Sequence, residues 1–240
     1  MVTSHNPLIV ALDFPEARIA IDMATTLAPH VGAFKVGLEL LMGPGPATVA
    51  AVREVGLPVF VDAKLHDIPN TVSRAARALG SVGARWVTVH ASGGRDMLEA
   101  AVAGLAGGAA GHDAGILAIT VLTSLTADDL TATGVNATPG RQVARMARLS
   151  AAAGVEGVVC AVKELGDVAQ VAPDLARVTP GIRPVDALTD DHGRVATPSE
   201  AVRRGADWIV VGRPVTRAPD PAAAATAIVA EVTDTDRGRV

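Results

Sequence analysis

The sequence predicts an α/β fold, a single (β/α)8 (TIM) barrel, and three observations predict it. About eight short β-like runs alternate with helix-like segments along 240 residues. Most of the runs are nearly continuous Val, Ile, Leu and Ala, as in strands covered on both faces. After the first run stands Asp13-Phe14-Pro15-Glu16 rather than Gly-x-Gly-x-x-Gly. That weakens the alternative, an open dinucleotide-binding sheet.

In chain order the runs are Leu8–Asp13, Ala33–Gly37, Val59–Lys64, Trp86–His90, Ile116–Thr120, Gly157–Cys160, Ala176–Thr179 and Trp208–Gly212. Between them, Ile68, Val72, Ala75, Ala76 and Leu79 mark one helical face. Val143, Met146, Ala147, Ser150 and Ala153 mark another, and Gly154 stands where a C-terminal glycine cap belongs. Pro69 and Pro198 suit first helical turns. No low-complexity linker or composition break divides the chain, so residues 1–240 read as one domain. The polar tail after Asp234 is expected to fray.

Composition narrows the function. Apolar residues at 49% and charged residues at 19% build a core and exclude intrinsic disorder. A net charge of −4 gives no basic surplus for nucleic acid, and 2% aromatics without tyrosine leave few platforms for stacking bases. The lone Cys160 excludes an intramolecular disulfide and a cysteine zinc cluster; after Val158 and Val159 it reads as a small buried apolar residue. Residues Met1 to Pro7 lack a basic region and a long apolar run. The uncharged stretch Ala100 to Gly111 is too short to span a bilayer. The expectation is a cytoplasmic protein with neither nucleic acid nor membrane as partner.

In such a barrel, function gathers at the C-terminal ends of the strands. The third run continues as Val61-Asp62-Ala63-Lys64-Leu65-His66-Asp67-Ile68-Pro69-Asn70-Thr71. Strand alternation puts Phe60, Asp62 and Lys64 on one face, and Val59, Val61 and Ala63 on the helix side. An inward Asp and Lys are either a structural ion pair or a reactive one. Lys35 lies between the small residues Ala33 and Gly37, which leave room for its side chain, although it also suits a lysine reaching out at a strand end. Asp13 and Asp67 each suit a charged site or a helix cap. Together Asp13, Lys35, Asp62, Lys64 and Asp67 put alternating charges at one end of three neighbouring strands, where stability alone would favour Val and Leu.

The last two strands end differently. Thr179-Pro180-Gly181-Ile182-Arg183-Pro184 and Val211-Gly212-Arg213-Pro214 stand where this fold often grips phosphate. Gly212 lets a backbone N–H approach an oxyanion and Arg213 supplies a fork of donors. The long polar loop from Pro184 to Thr197 reads as a lid.

These segments resemble the orotidine 5′-phosphate decarboxylase family, and its bacterial branch in order and spacing. The run from Asp62 to Thr71 looks like its Asp-x-Lys-x-x-Asp motif with the His-Asp-Ile-Pro-Asn-Thr extension. Ala11-Leu12-Asp13, Lys35-Val36-Gly37, Val89-His90-Ala91-Ser92-Gly93-Gly94, Thr120-Val121-Leu122-Thr123-Ser124 and the two segments ending the last strands match in turn. The resemblance implies decarboxylation of orotidine 5′-monophosphate to UMP, with no metal or organic cofactor. It also implies a homodimer in which Asp67 reaches the neighbouring site. By the same resemblance, Lys64, Asp62, Asp67 and Lys35 are catalytic. Asp13 and Lys35 contact the ribose, Thr123 faces the pyrimidine, and Arg183, Gly212 and Arg213 lie on the phosphate side. Ile68, Thr71, Pro180 and Asp62 complete the substrate contacts. One departure stands out: in Asp190-Asp191-His192-Gly193-Arg194, His192 occupies the position of a family Gln that reaches from the lid to phosphate and base. Histidine keeps a donor there. Two rivals remain: a metal-dependent enzyme acting on a sugar phosphate, which carries a Glu at position 35, and a non-catalytic phosphate-binding barrel.

Overall fold

The computed structural model describes residues 6–184 and 196–237. Eight parallel strands close into a barrel in sequence order: β1 (Leu8–Ala11), β2 (Ala33–Val36), β3 (Val59–Leu65), β4 (Trp86–His90), β5 (Gly115–Ile119), β6 (Gly157–Val159), β7 (Ala176–Thr179) and β8 (Trp208–Val211). The ring shuts where Leu8, Ile9 and Val10 register with Ile209, Val210 and Val211. Helices α1 (Ala17–Leu27), α2 (Leu38–Met42), α3 (Ala47–Arg53), α4 (Pro69–Ser81), α5 (Arg95–Gly108), α6 (Ala127–Ala132), α7 (Pro139–Ala152), α8 (Leu165–Val171), α9 (Pro198–Arg203), α10 (Arg213–Thr216) and α11 (Pro221–Arg237) fill the connections. None of the described helices is long and apolar enough to cross a membrane.

Strand alternation divides the core in two. Ile9, Ala11, Ala33, Phe60, Trp86, Leu117, Val178 and Val210 fill the barrel. Their strand neighbours, such as Val10, Phe34, Val59, Val61, Val87 and Ile209, pack outward against helices. With so few aromatics, the chain spends its two tryptophans inside: Trp86 and Trp208 meet edge to face, ring centroids 5.0 Å apart. Beside them the Arg85 guanidinium grips Glu156 with two 2.7 Å hydrogen bonds, and the Trp86 indole N–H donates to the same carboxylate at 2.8 Å.

The helix expectations hold in their main lines. Val72, Ala76 and Leu79 are buried on α4, and Val143, Ala147 and Ser150 on α7. Gly154 takes the left-handed conformation just beyond α7, φ +74°. Pro69 and Pro198 open α4 and α9. Ile68 is a correction: it is 66% exposed, not part of the buried α4 face. Pro69 holds it extended, ψ 152°, so it precedes the helical period. Cys160 is buried as expected, and burial pushes its thiol up to about 12.

The Gly- and Ala-rich stretch Ala100–Gly111 has a packing role. A Cβ at Gly104 would lie 2.2 Å from the Ser73 carbonyl oxygen, and one at Gly108 2.0 Å from that of Arg77. These glycines let α5 lie directly on α4, the helix that follows the charged strand. Gly104→Ala must push the two helices apart. Its expected cost is about 1–3 kcal/mol, read as a lower midpoint in thermal unfolding.

Candidate active site

The site grows out of β3. Phe60 points into the barrel, so Asp62 and Lys64 follow it inward. Lys35 does the same from β2, registered beside Phe60. The Lys64 ammonium donates to Asp62 Oδ2. Lys35 Nζ lies 3.6 Å from that same oxygen and donates to Asp13 Oδ1 at 3.1 Å. A row of alternating sign results, Asp13, Lys35, Asp62, Lys64, at the C-terminal ends of β1, β2 and β3. Both cap readings give way here. Asp13 pairs with Lys35 while Glu16 stands at the N-cap of α1. Among the described residues Asp67 accepts only the adjacent Ile68 N–H, at 2.6 Å, and Ile68 is the N-cap of α4.

The middle of the row is the buried part, with the Lys35 and Asp62 side chains 12% and 14% exposed. Burial works against ionisation of Asp62. The charges of Lys35 and Lys64, with hydrogen bonds from Lys64 and Thr88, outweigh it and hold the carboxyl below its usual value near 3.8. Gly37 gives the row room: a Cβ there would lie 3.0 Å from Lys35 Nζ and 3.1 Å from Asp13 Oδ1, tighter than ordinary contact.

Lys64 departs from regular strand geometry. Its φ is +49°, in the left-handed region. A non-glycine residue there costs on the order of 1–3 kcal/mol unless the surroundings hold it. The β3–β4 register slips at this point, from Val61 opposite Val87 to Leu65 opposite Val89. Opposite the bulge, the buried Thr88 hydroxyl accepts the Lys64 N–H and donates to Asp62 Oδ1, both at 2.9 Å. Sequence reasoning missed Thr88. Its signal was a hydroxyl on the inward face of β4, two residues after Trp86 and two before His90.

Lys35, Asp62, Lys64, Thr123 and Pro180 line one cavity of about 220 Å3, whose other walls are apolar: Phe60, Ile119, Val121, Leu122, Val159 and Val210. A charged floor under apolar walls suits a flat ring bearing one anionic substituent. Gly212 lies close by, 3.6 Å from the Ala11 Cβ if given a Cβ of its own. That is ordinary contact, so packing within the chain does not require glycine here. Arg213 is exposed at the start of α10 and Arg183 half-buried after β7; among the described residues neither guanidinium pairs with a carboxylate. Asp67, Ile68 and Thr71 are exposed on the rim and outside the cavity lining. His192 and most of the expected lid fall within residues 185–195, outside the described residues. A larger, more open cleft lies at the opposite end of the barrel, lined by Arg53, Arg85 and His112 among others. It contains no part of the charge row.

Comparison with known proteins agrees with this geometry. Residues 6–228 match the model of the orotidine 5′-phosphate decarboxylase / HUMPS family. Orotidine 5′-phosphate decarboxylase of Anaeromyxobacter sp. strain K is 53% identical over 224 residues, 93% of this chain and 96% of the relative. That of Thermobifida fusca is 47% identical, over 95% and 97%. The crystal structure of orotidine 5′-phosphate decarboxylase from Lactobacillus acidophilus superposes with a TM-score of 0.83 at 38% identity, covering 95% of this chain and 99% of that one.

Replacing Lys35 removes one of the two cations on Asp62. In Lys35→Met the Asp62 carboxyl is expected to titrate at higher pH than in the unaltered protein, followed by carboxyl 13C shifts. The linkage has a definite sign. The folded carboxyl ionises below its unfolded value, so Asp62 stabilises the fold above about pH 4 and loses that contribution as pH falls through the lowered value. Lys35→Met weakens the contribution.

Proposed function

The chain belongs to the orotidine 5′-phosphate decarboxylase / HUMPS family, and within it we propose that it decarboxylates orotidine 5′-monophosphate to UMP and carbon dioxide, the final step of de novo UMP synthesis. The observation that carries this reading is the Asp62 carboxylate held between two ammonium groups at the floor of an apolar cavity. The curated relatives named above bear the name of this activity.

The chemistry asks for that floor. When the C6–carboxylate bond breaks, its electron pair stays in an in-plane orbital of the pyrimidine. No ring carbonyl is placed to accept the pair by simple resonance. Negative charge at C6 must be met directly, and Lys64 is the group to meet it. Its ammonium stabilises the pair, then passes one proton to C6; the neutral amine regains a proton from water. Asp62 holds the ammonium in place. Lys35 and Asp13 lie where the ribose hydroxyls enter, and Thr123 where the base rests. Gly212, Arg213 and Arg183 take the phosphate, whose binding energy orients the ring.

We read residues 1–240 as one catalytic domain that works in the cytoplasm as a homodimer. Asp67 and Ile68 lie exposed on the rim, and in this reading Asp67 completes the neighbour's site. The reaction needs neither metal nor organic cofactor. Lys35 supports that choice over a metal-dependent member of the same family, because it puts an ammonium against Asp62 where a divalent ion would need another carboxylate.

Absorbance loss as orotidine 5′-monophosphate becomes UMP tests the activity, and EDTA is expected to leave the rate unchanged. Lys64→Ala is expected to abolish measurable turnover while UMP still binds. Turnover near the unaltered rate in that variant would remove Lys64 as proton donor.

A further inference from the structure

We propose that Thr88 is a positioning residue for the charge row, its single hydroxyl locking the Lys64 backbone and the Asp62 carboxylate into one rigid unit. The inference rests on the reaction proposed above for what that unit then does, namely present the Lys64 ammonium to the reacting carbon.

Three observations carry it. In the β3–β4 ladder Phe60 lies opposite Trp86 and Val61 opposite Val87, and pairing resumes only at Leu65 and Val89. Three residues of β3, Asp62, Ala63 and Lys64, thus pass a single residue of β4, Thr88. The ladder leaves Lys64 N–H to a side chain, and the Thr88 hydroxyl accepts it at 2.9 Å. The same hydroxyl has one proton to give, and it goes to Asp62 Oδ1 at 2.9 Å. Thr88 is 0% exposed, so water cannot take over either role without opening the barrel.

The consequence is specific. The Asp62 carboxylate has two oxygens with different tasks. Oδ2 meets Lys64 and Lys35; Oδ1 meets Thr88. Without the hydroxyl the carboxylate is held by the lysines at Oδ2 and loses its hold at Oδ1, and the left-handed turn at Lys64 loses its hydrogen bond. Thr88 thus reaches the reaction only through its two partners, and substrate affinity does not depend on it directly.

Two substitution pairs isolate the hydroxyl. Thr88→Val keeps the shape of the side chain and removes the oxygen. Thr88→Ser and Thr88→Ala both lack the methyl and differ in the oxygen. Thr88→Val and Thr88→Ala are expected to lower kcat by about 10- to 100-fold with KM within about threefold, and Thr88→Ser to recover most of the rate. Equal rates in Thr88→Ser and Thr88→Ala would overturn the proposal, as would a Thr88→Val rate within about twofold of the unaltered one. If Thr88→Val fails to fold, the Ser and Ala pair decides alone.

A second readout does not need turnover. Asp62 faces Lys35 from β2, Lys64 on its own strand, and Thr88 and His90 from β4. Among these only the Thr88 contact changes, so carboxyl 13C titration should move Asp62 upward in Thr88→Val and Thr88→Ala and leave it in place in Thr88→Ser. An unmoved Asp62 overturns the proposal. If the unaltered protein does not turn over orotidine 5′-monophosphate, the reaction assignment fails, and the titration still decides the role of Thr88.

Discussion

Everything at the mouth of this barrel depends on how one buried carboxylate is held. Burial among Phe60, Ile119 and Val159 works against the ionised form of Asp62, because removal from water favours the neutral acid. Two ammonium groups reverse that preference. Asp13 at one end faces solvent and closes the row. The alternation brings four charges together with no net charge of their own, and the buried Lys35 and Asp62 each have an opposite charge on either side to offset their desolvation. Removing any one member leaves its neighbours with an unmatched charge, so the row behaves as a unit.

The barrel separates this cost from the groups that stabilise it. At the N-terminal end, Arg85, Glu156, Trp86 and Trp208 join β4, β6 and β8 with hydrogen bonds and ring contacts. At the C-terminal end, the strand ladder itself is interrupted, with a left-handed lysine and a register slip. Close packing of α5 on α4 through Gly104 and Gly108 backs the interrupted strand from outside. A strained, charged mouth on a well-bonded base is the division of labour this fold permits, because the two ends of a strand share no side chains.

Much of this was legible in the sequence, for physical reasons. Strand alternation is strict, so Phe60, Asp62 and Lys64 on one face needed no structure. Val59 and Val61 confirmed the direction by packing outward. Small residues beside Lys35 announced space, and Gly37 proves to clear both Lys35 and Asp13. What escaped were effects that need a partner from elsewhere in the chain. Thr88 looks like any β-branched strand residue until a bulge on β3 leaves an N–H facing it. Ile68 fits the helical period by count, and only the backbone demand of Pro69 takes it off the buried face. The sequence left Asp13 and Asp67 open between a charged site and a cap because a side chain near a helix start has competitors: Lys35 for the first, the adjacent Ile68 N–H for the second.

In the proposed reaction the same arrangement explains why the transition state gains more than the substrate does. A substrate carboxylate beside Asp62 sets two like charges close together; at 4 Å and an effective dielectric near 20 that repulsion is about 4 kcal/mol. Lys64 compensates part of it in the ground state. As carbon dioxide departs neutral, the repulsion fades, and the attraction of Lys64 passes to the electron pair left on C6. One cation thus serves a shared partner before the bond breaks and a concentrated one after it. The difference between those two states, rather than the strength of either, is what lowers a barrier. That difference survives only if the ammonium stays still while the charge moves beneath it. This is the physical reason for spending backbone strain on Lys64 and a fully buried hydroxyl on its support.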